Sequence, residues 1–148
     1  MHKFLFPALV IIFFTAFTEA RAQAAADSLI FLEEADRPPV FPGCDPSAEA
    51  KDLQQCFDFQ LAMLLSKSIN YPSDAREKEE QGTVYLEITI DSTGVVTDIR
   101  NTDPGKVHPS LEKEALRVVK KLPRMGPAVH NGKEIAVKYA IPITFNLK

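Results

Sequence analysis

The sequence predicts an α+β fold: a small antiparallel sheet of about three strands with two or three helices packed on one face. Three observations lead there. TVYLEITI (83–90) and IAVKYAIPITFNLK (135–148) alternate apolar and polar residues, as strands with one buried face do. QQCFDFQLAMLLSKSI (54–69) and SLEKEALRVVKKLP (110–123) carry apolar stripes at helical spacing. The order helix, helix, strand, strand, helix, strand lacks the βαβ alternation of a parallel sheet.

The N-terminal apolar run, FLFPALVIIFFTAFT (4–18), follows a weakly positive start and precedes Ala20-Arg21-Ala22, an A-x-A site before Gln23. This is the pattern of a secretory signal peptide over residues 1–22. The competing reading is a membrane anchor formed by residues 4–18. A spanning helix needs about 20 apolar residues, and this run is shorter and contains Pro7. Residues 23–40 are expected to be an extended segment in which SLIFL pairs as a short strand. PPVFPG must be extended or turned, because proline fixes φ and disfavours helix just before it. Residues 41–148 form the folded domain.

Export makes Cys44 and Cys56 a natural disulfide. A redox or nucleophilic cysteine is the alternative, but the spacing is not C-x-x-C and no histidine is near in sequence. Asp45-Pro46 is a plausible helix start, with an N-cap residue and proline at the first helical position. Leu53, Phe57, Leu61, Leu64 and Leu65 form the apolar stripe that follows, and Asn70-Tyr71-Pro72 ends it. SDAREKEEQG (73–82) reads as a short polar helix stopped by Gly82.

Val84, Leu86, Ile88 and Ile90 alternate with Tyr85, Glu87 and Thr89, and the turn cluster DSTG (91–94) leads into VVTDIRNT. There Val96 and Ile99 are out of step, and a bulge near Thr97 would return both to one face. In the next helix Leu111, Ala115, Leu116, Val119 and Leu122 face the sheet, with Ser110 as N-cap candidate and Pro123 as the stop. RMGPAVHNGKE (124–134) is read as a loop with an Asn131-Gly132 turn. In the last strand Ile135, Val137, Tyr139, Ile141, Ile143, Phe145 and Leu147 share one parity, yet Pro142 lies among them without an N–H for a sheet ladder.

Chemistry-bearing patterns are scarce. The formal net charge is −3 and the pI near 5.6, so there is no basic footprint for nucleic acid. His2 falls in the signal segment, and His108 and His130 lie in different loops. No metal-ligand spacing, nucleophile elbow or phosphate loop is present, so neither a cofactor nor a metal is expected. DSTG resembles half of an aspartic-protease signature, but the second half is missing, and Asp91 and Gly94 suit a hairpin turn. The chain is not expected to be an enzyme.

From Phe41 onward the sequence resembles the C-terminal domain of TonB, in the variant of Bacteroidetes-type sequences. The matching motifs are PVFPGC (39–44), Tyr71-Pro72 with Ala75, QGTVYLEITIDSTGVVTDI (81–99), SLEKEALRVVKKLP (110–123), Gly126-Pro127, Asn131-Gly132-Lys133 and IPITFNL (141–147). Cys44 stands where many relatives have a second glycine. The resemblance implies a helix-backed antiparallel sheet in the periplasm. It implies a grip on the TonB box, an extended peptide of outer-membrane receptors, by β-strand addition to the last strand. It places that strand on residues 135–145, with Ile135, Val137, Lys138, Tyr139, Ala140 and Ile141 as partner-binding residues. Ser68, Ile69 and Asn70, before the Tyr-Pro, are the second receptor-contacting segment, and Gly82 and Gly94 are structural positions. Inner-membrane motor proteins join the partners if residues 4–18 stay as an inner-membrane anchor. The competing function is an envelope interaction or assembly module whose exposed edge pairs with itself, as a homodimer, or with another protein.

Overall fold

The structure is a computed structural model that describes residues 29–147. The signal-peptide assignment for residues 1–22 lies outside the described residues. The elements in chain order are β1 (Ile30–Phe31), a 3-10 turn (Leu32–Glu34), α1 (Ala50–Ser68), α2 (Ser73–Glu77), β2 (Gly82–Ile90), β3 (Val96–Asn101), α3 (Pro109–Val119), β4 (Ala128–His130), β5 (Lys133–Ile135) and β6 (Val137–Phe145).

The α+β class holds, with a larger sheet than expected. β6, β2 and β3 form the antiparallel sheet the alternation predicts, and β1 adds a fourth strand, parallel to β6, giving the order β1-β6-β2-β3. All nine residues of β2 have partners on β6, from Gly82 opposite Phe145 to Ile90 opposite Val137. On the other side of β2 the register slips by one residue: Thr89 faces Asp98 but Ile90 faces Val96, so Thr97 is the extra, bulged residue. The bulge puts Val96 and Ile99 on the same side, where both pack against the core.

Alternation in β2 and β6 sends Val84, Leu86, Ile88, Ile90, Val137, Ile141, Ile143 and Phe145 to one face. Phe57 and Leu61 of α1 and Leu111, Ala115 and Val119 of α3 close over that face as a single core. Each such aliphatic or aromatic side chain removed from water contributes about 1.5–3 kcal/mol. Leu64, Leu65, Leu116 and Leu122 pack at its rim, and Val118, outside the expected stripe, is fully buried.

Several local expectations give way to tertiary contacts. The first helix begins at Ala50, not at Asp45-Pro46, because Asp45 turns its carboxylate onto the N–H and hydroxyl of Ser47, at 2.8 and 2.7 Å. Gly82 is not the stop of α2 but the first residue of β2. The helix ends earlier, with Glu79 at φ 54°, Glu79 N–H on Arg76 O and Glu80 N–H on Ala75 O, the bonds of a Schellman motif. The N-cap of α3 is His108, whose Nδ1 faces the Ser110 N–H, with Pro109 as the first helical residue. Residues 128–135 are not loop: β4 and β5 form a hairpin around Asn131 and Gly132, at φ 51° and 73°. That hairpin takes Ile135 out of the last strand, which starts at Val137. One linking residue, Ala136, preserves the parity and so conceals the break from pattern reading.

The N-terminal strap is fastened by backbone pairs. Arg37 and Val129 exchange bonds of 3.0 and 2.9 Å, and Val40 and Gly126 bonds of 3.0 and 2.8 Å. Cys44 and Cys56 are disulfide-bonded, with Cα atoms 5.9 Å apart, which ties the strap to α1. In the chain-entropy account a loop of this size contributes about 3 kcal/mol. At the β2–β3 turn, Asp91 Oδ1 accepts from the N–H groups of Thr93 and Val95 at 2.8 and 3.0 Å. Gly94 has φ 84°, and a Cβ there would sit 1.8 Å from the Met125 carbonyl oxygen.

Two substitutions test this packing by equilibrium urea denaturation. Ile88→Ala, at a fully buried position, is expected to lower the unfolding free energy by about 2–5 kcal/mol. Gly94→Ala is expected to be destabilising by more than about 1 kcal/mol, since the left-handed backbone and the clash both oppose a side chain.

Candidate functional site

The backbone of β6 has two sides, and β2 decides which groups lie on each. Tyr85 O accepts from Thr102 N at 2.9 Å, so Tyr85 directs its backbone toward β3. In an antiparallel ladder the direction alternates. Val84, Leu86 and Ile88 therefore face β6, and their partners Ile143, Ile141 and Tyr139 spend their backbone groups on β2. Lys138, Ala140, Pro142 and Thr144 turn theirs to the outer side. The missing N–H of Pro142 is thus on the outer edge, where its absence takes nothing from the β2 ladder.

β1 covers the start of this edge: Ile30 lies opposite Val137 and Phe31 opposite Lys138. Among the described residues no strand pairs with the outer side of β6 beyond Lys138. Beside that open stretch a groove of about 180 Å³ runs between β6 and α1, lined by Asp58, Leu61, Ala62, Leu65, Tyr139, Ile141 and Pro142. Tyr139 forms its wall. Its ring meets Phe57 edge-on at 5.2 Å, and its hydroxyl donates to Asp58 Oδ1 at 2.9 Å. Burial first, then the bond to Asp58 and that residue's charge, raise the Tyr139 pKa well above a free tyrosine's, so the hydroxyl stays a donor.

The segment Ser68, Ile69 and Asn70 is held by α3. Glu114 and Arg117 form a two-pronged pair, with Nε to Oε2 at 2.7 Å and Nη2 to Oε1 at 2.6 Å. Arg117 Nη2 also donates to Ser68 O, and Asn70 N–H to Glu114 Oε1, both at 2.7 Å. The hydrogen bonds from Arg117, opposed by burial and aided by Asn70 N–H, hold the Glu114 carboxyl below its ordinary range. Ile69 packs against the core and Tyr71 meets Phe145 edge-on at 5.7 Å. This segment therefore lies against α3 and leads through Tyr71 to the C-terminal end of β6, while Ile135, Val137 and Lys138 lie at the half next to β1 and the β4–β5 hairpin.

On the outer sheet face Glu87 is ion-paired with both Arg100 and Lys138. The residues that sequence reasoning missed are Asp58, Ala62, Thr144, Glu114 and Arg117, whereas Leu65 stood out in the helical stripe and Pro142 by its missing donor. Strand parity was a usable signal for Thr144. The contacts of Asp58, Glu114 and Arg117 span 44 to 81 residues and leave no local trace.

His108 Nδ1 lies 2.7 Å from Ser110 Oγ and 3.9 Å from Asp74 Oδ2. Both partners address the same ring nitrogen, whereas a Ser-His-Asp relay needs the two nitrogens on opposite partners. The cluster caps α3. Among the described residues no group of His, Cys, Asp and Glu is arranged to hold a metal, and no helix is long and apolar enough to cross a membrane.

A family profile described as the Gram-negative bacterial TonB protein C-terminal matches residues 67–147. The fold is similar to a solution structure of the C-terminal domain of Helicobacter pylori TonB, at 26% identity and a TM-score of 0.50, over 70% of this chain and 87% of that one. A shorter H. pylori TonB domain is 27% identical over 62% of this chain and 95% of its own, with a TM-score of 0.48. The C-terminal domain of Pseudomonas aeruginosa TonB is 27% identical over 54% of this chain and 79% of its own, with a TM-score of 0.41. No curated protein matches the chain.

The Glu114 clamp makes a pH prediction. A carboxyl whose folded-state pKa is depressed contributes stability that is complete above the ordinary value of 4.5 and is lost as pH falls through the lower folded value. Glu114→Gln is therefore expected to be less stable than the parent at pH 7. The gap should close as pH falls below about 4.5. Thermal melts of both proteins from pH 7 to pH 3 check this, and a gap independent of pH would remove the charge from the explanation.

Proposed function

The chain belongs to the TonB C-terminal family, and on that premise we propose that it grips the TonB box of an outer-membrane receptor by adding that peptide as a strand to the outer edge of β6. Family membership ties the chain to TonB-dependent transport in the Gram-negative envelope. The observation that carries the finer reading is the outer edge beyond Lys138. There Ala140 and Thr144 present N–H and C=O groups, Pro142 presents a C=O alone, and the Tyr139–Leu65 groove lies alongside.

In this reading the partner-binding residues have different roles. Ala140 offers backbone groups to the incoming strand, and Lys138, whose outer groups face β1, marks where that strand begins. Tyr139 and Ile141, whose backbone serves β2, offer groove surface. Ser68, Ile69 and Asn70, held by α3, form the second segment that meets the receptor. Ile135 and Val137 support the start of the strand. The binding is main-chain recognition with a modest side-chain component, as strand addition generally is.

We also propose that the protein acts in the periplasm as an accessory of uptake, released by cleavage after Ala22. The first residue of the protein recovered from the envelope distinguishes the roles. Gln23 makes it a free domain, and Met1 makes it an anchored transducer in reach of inner-membrane motor proteins.

Ala140→Pro removes an outer-edge donor and leaves the β2 ladder intact. Titration of the labelled domain with TonB-box peptides is expected to show at least tenfold weaker binding for this variant. Pro142→Ala adds a donor and is expected to bind more tightly. Equal affinities in all three proteins would reject the edge as the site. A symmetric dimer burying β6, with no affinity for the peptides, would favour the assembly reading.

A further inference from the structure

β1 is the one strand of the main sheet that runs parallel to its neighbour, and it pairs over two residues only, Ile30 opposite Val137 and Phe31 opposite Lys138. It occupies the same outer side of β6 that Ala140 and Thr144 leave open. Lys138 therefore spends its outward backbone groups on a segment of its own chain.

β1 itself is lightly held. Leu29 and Phe31 are 44% and 52% exposed, and Ile30 only reaches the rim of the core. The chain immediately after it is firmly held. Leu32 is 2% exposed, Arg37 and Val40 are backbone-paired to Val129 and Gly126, and Asn131 N–H donates to Asp36 Oδ2 at 2.6 Å. This is a short flap on a fixed base. Lifting it costs little apolar burial, and the base keeps it close enough to fall back.

We infer that β1 is an internal placeholder on the edge of β6, displaced when a partner strand pairs with that edge from Lys138 onward. The inference rests on the strand-addition reading above and adds a regulatory step to it. With β1 in place the open edge begins at Ala140 and its next position, Pro142, lacks a donor. With β1 lifted, the edge gains the N–H and C=O of Lys138, adjacent to those of Ala140. A self-pairing flap also shields the edge from indiscriminate strand partners, which an exposed edge otherwise recruits.

The test uses the exported protein, two variants and one probe, a synthetic peptide with the β1 sequence LIFLEEA (residues 29–35). Ile30→Pro removes the N–H that β1 turns toward β6 and so disrupts the flap directly. Phe31→Lys leaves the backbone groups of β1 in place and sets a like charge opposite Lys138, which disfavours the pairing more gently. In amide hydrogen exchange the Lys138 N–H should be protected in the parent, exchange faster in both variants, and regain protection when the peptide is added. The peptide should bind the variants at least tenfold more tightly than the parent. Equal binding to parent and variants, with Lys138 exchange unchanged, overturns the placeholder while leaving strand addition standing. Folded variants with a fast-exchanging Lys138 and no affinity for the peptide overturn strand addition at this edge as well.

Discussion

The ladder between β2 and β6 is the interaction on which the rest of the molecule depends. It pairs every residue of β2, from Gly82 to Ile90, and so fixes the register of the two longest strands. In a half-buried sheet a slip of one residue would exchange faces, sending Val84, Leu86 and Ile88 to water and Tyr85, Glu87 and Thr89 to the core. The same register decides the fate of the β6 backbone. Residues opposite the inward-directed positions of β2 are consumed, and the alternate ones turn to the outer edge, Lys138 toward β1 and Ala140, Pro142 and Thr144 toward no strand among the described residues. Core and candidate binding edge are two consequences of one alignment.

Around that ladder the other elements act as positioning devices. α1 and α3 cover the apolar face, and the Glu114–Arg117 pair fastens the chain just after α1 to α3. Gly94 lets the β2–β3 turn approach Met125, whose N–H donates to Gly94 O at 2.9 Å. The strap and its disulfide hold the N-terminal side of the domain against α1 and the hairpin. These contacts set where the groove beside Tyr139 lies, because its two walls come from α1 and β6.

An exposed edge strand is a template for indiscriminate pairing unless something limits access to it. β6 carries several such limits at once: a proline on the outer side, the short strand β1 over its first residues, and Lys138, ion-paired to Glu87 of β2, on the solvent face. Each blunts pairing locally without touching the β2 ladder. A free backbone edge gives main-chain affinity to almost any extended peptide, so discrimination must come from what limits access to it. The layout is consistent with a family whose members work in TonB-dependent transport.

Local chemistry determined much of the architecture. Period-two alternation in β2 and β6, the bulge at Thr97, the Asp91–Gly94 turn and the apolar stripes of α1 and α3 all follow from interactions within a few residues, which a sequence displays directly. The order of the motifs within residues 67–147 also carried the family. Tertiary structure decided the rest, because it depends on partners distant in the chain. Asp45 could have capped a helix but found Ser47 instead. Ile135 kept the parity of the last strand but pairs with Ala128 in another sheet. The meaning of Pro142 was the clearest case. Its missing donor is visible in the sequence, but whether that gap faces inward or outward depends on which residues of β2 bond to β3, and only the assembled sheet contains that information.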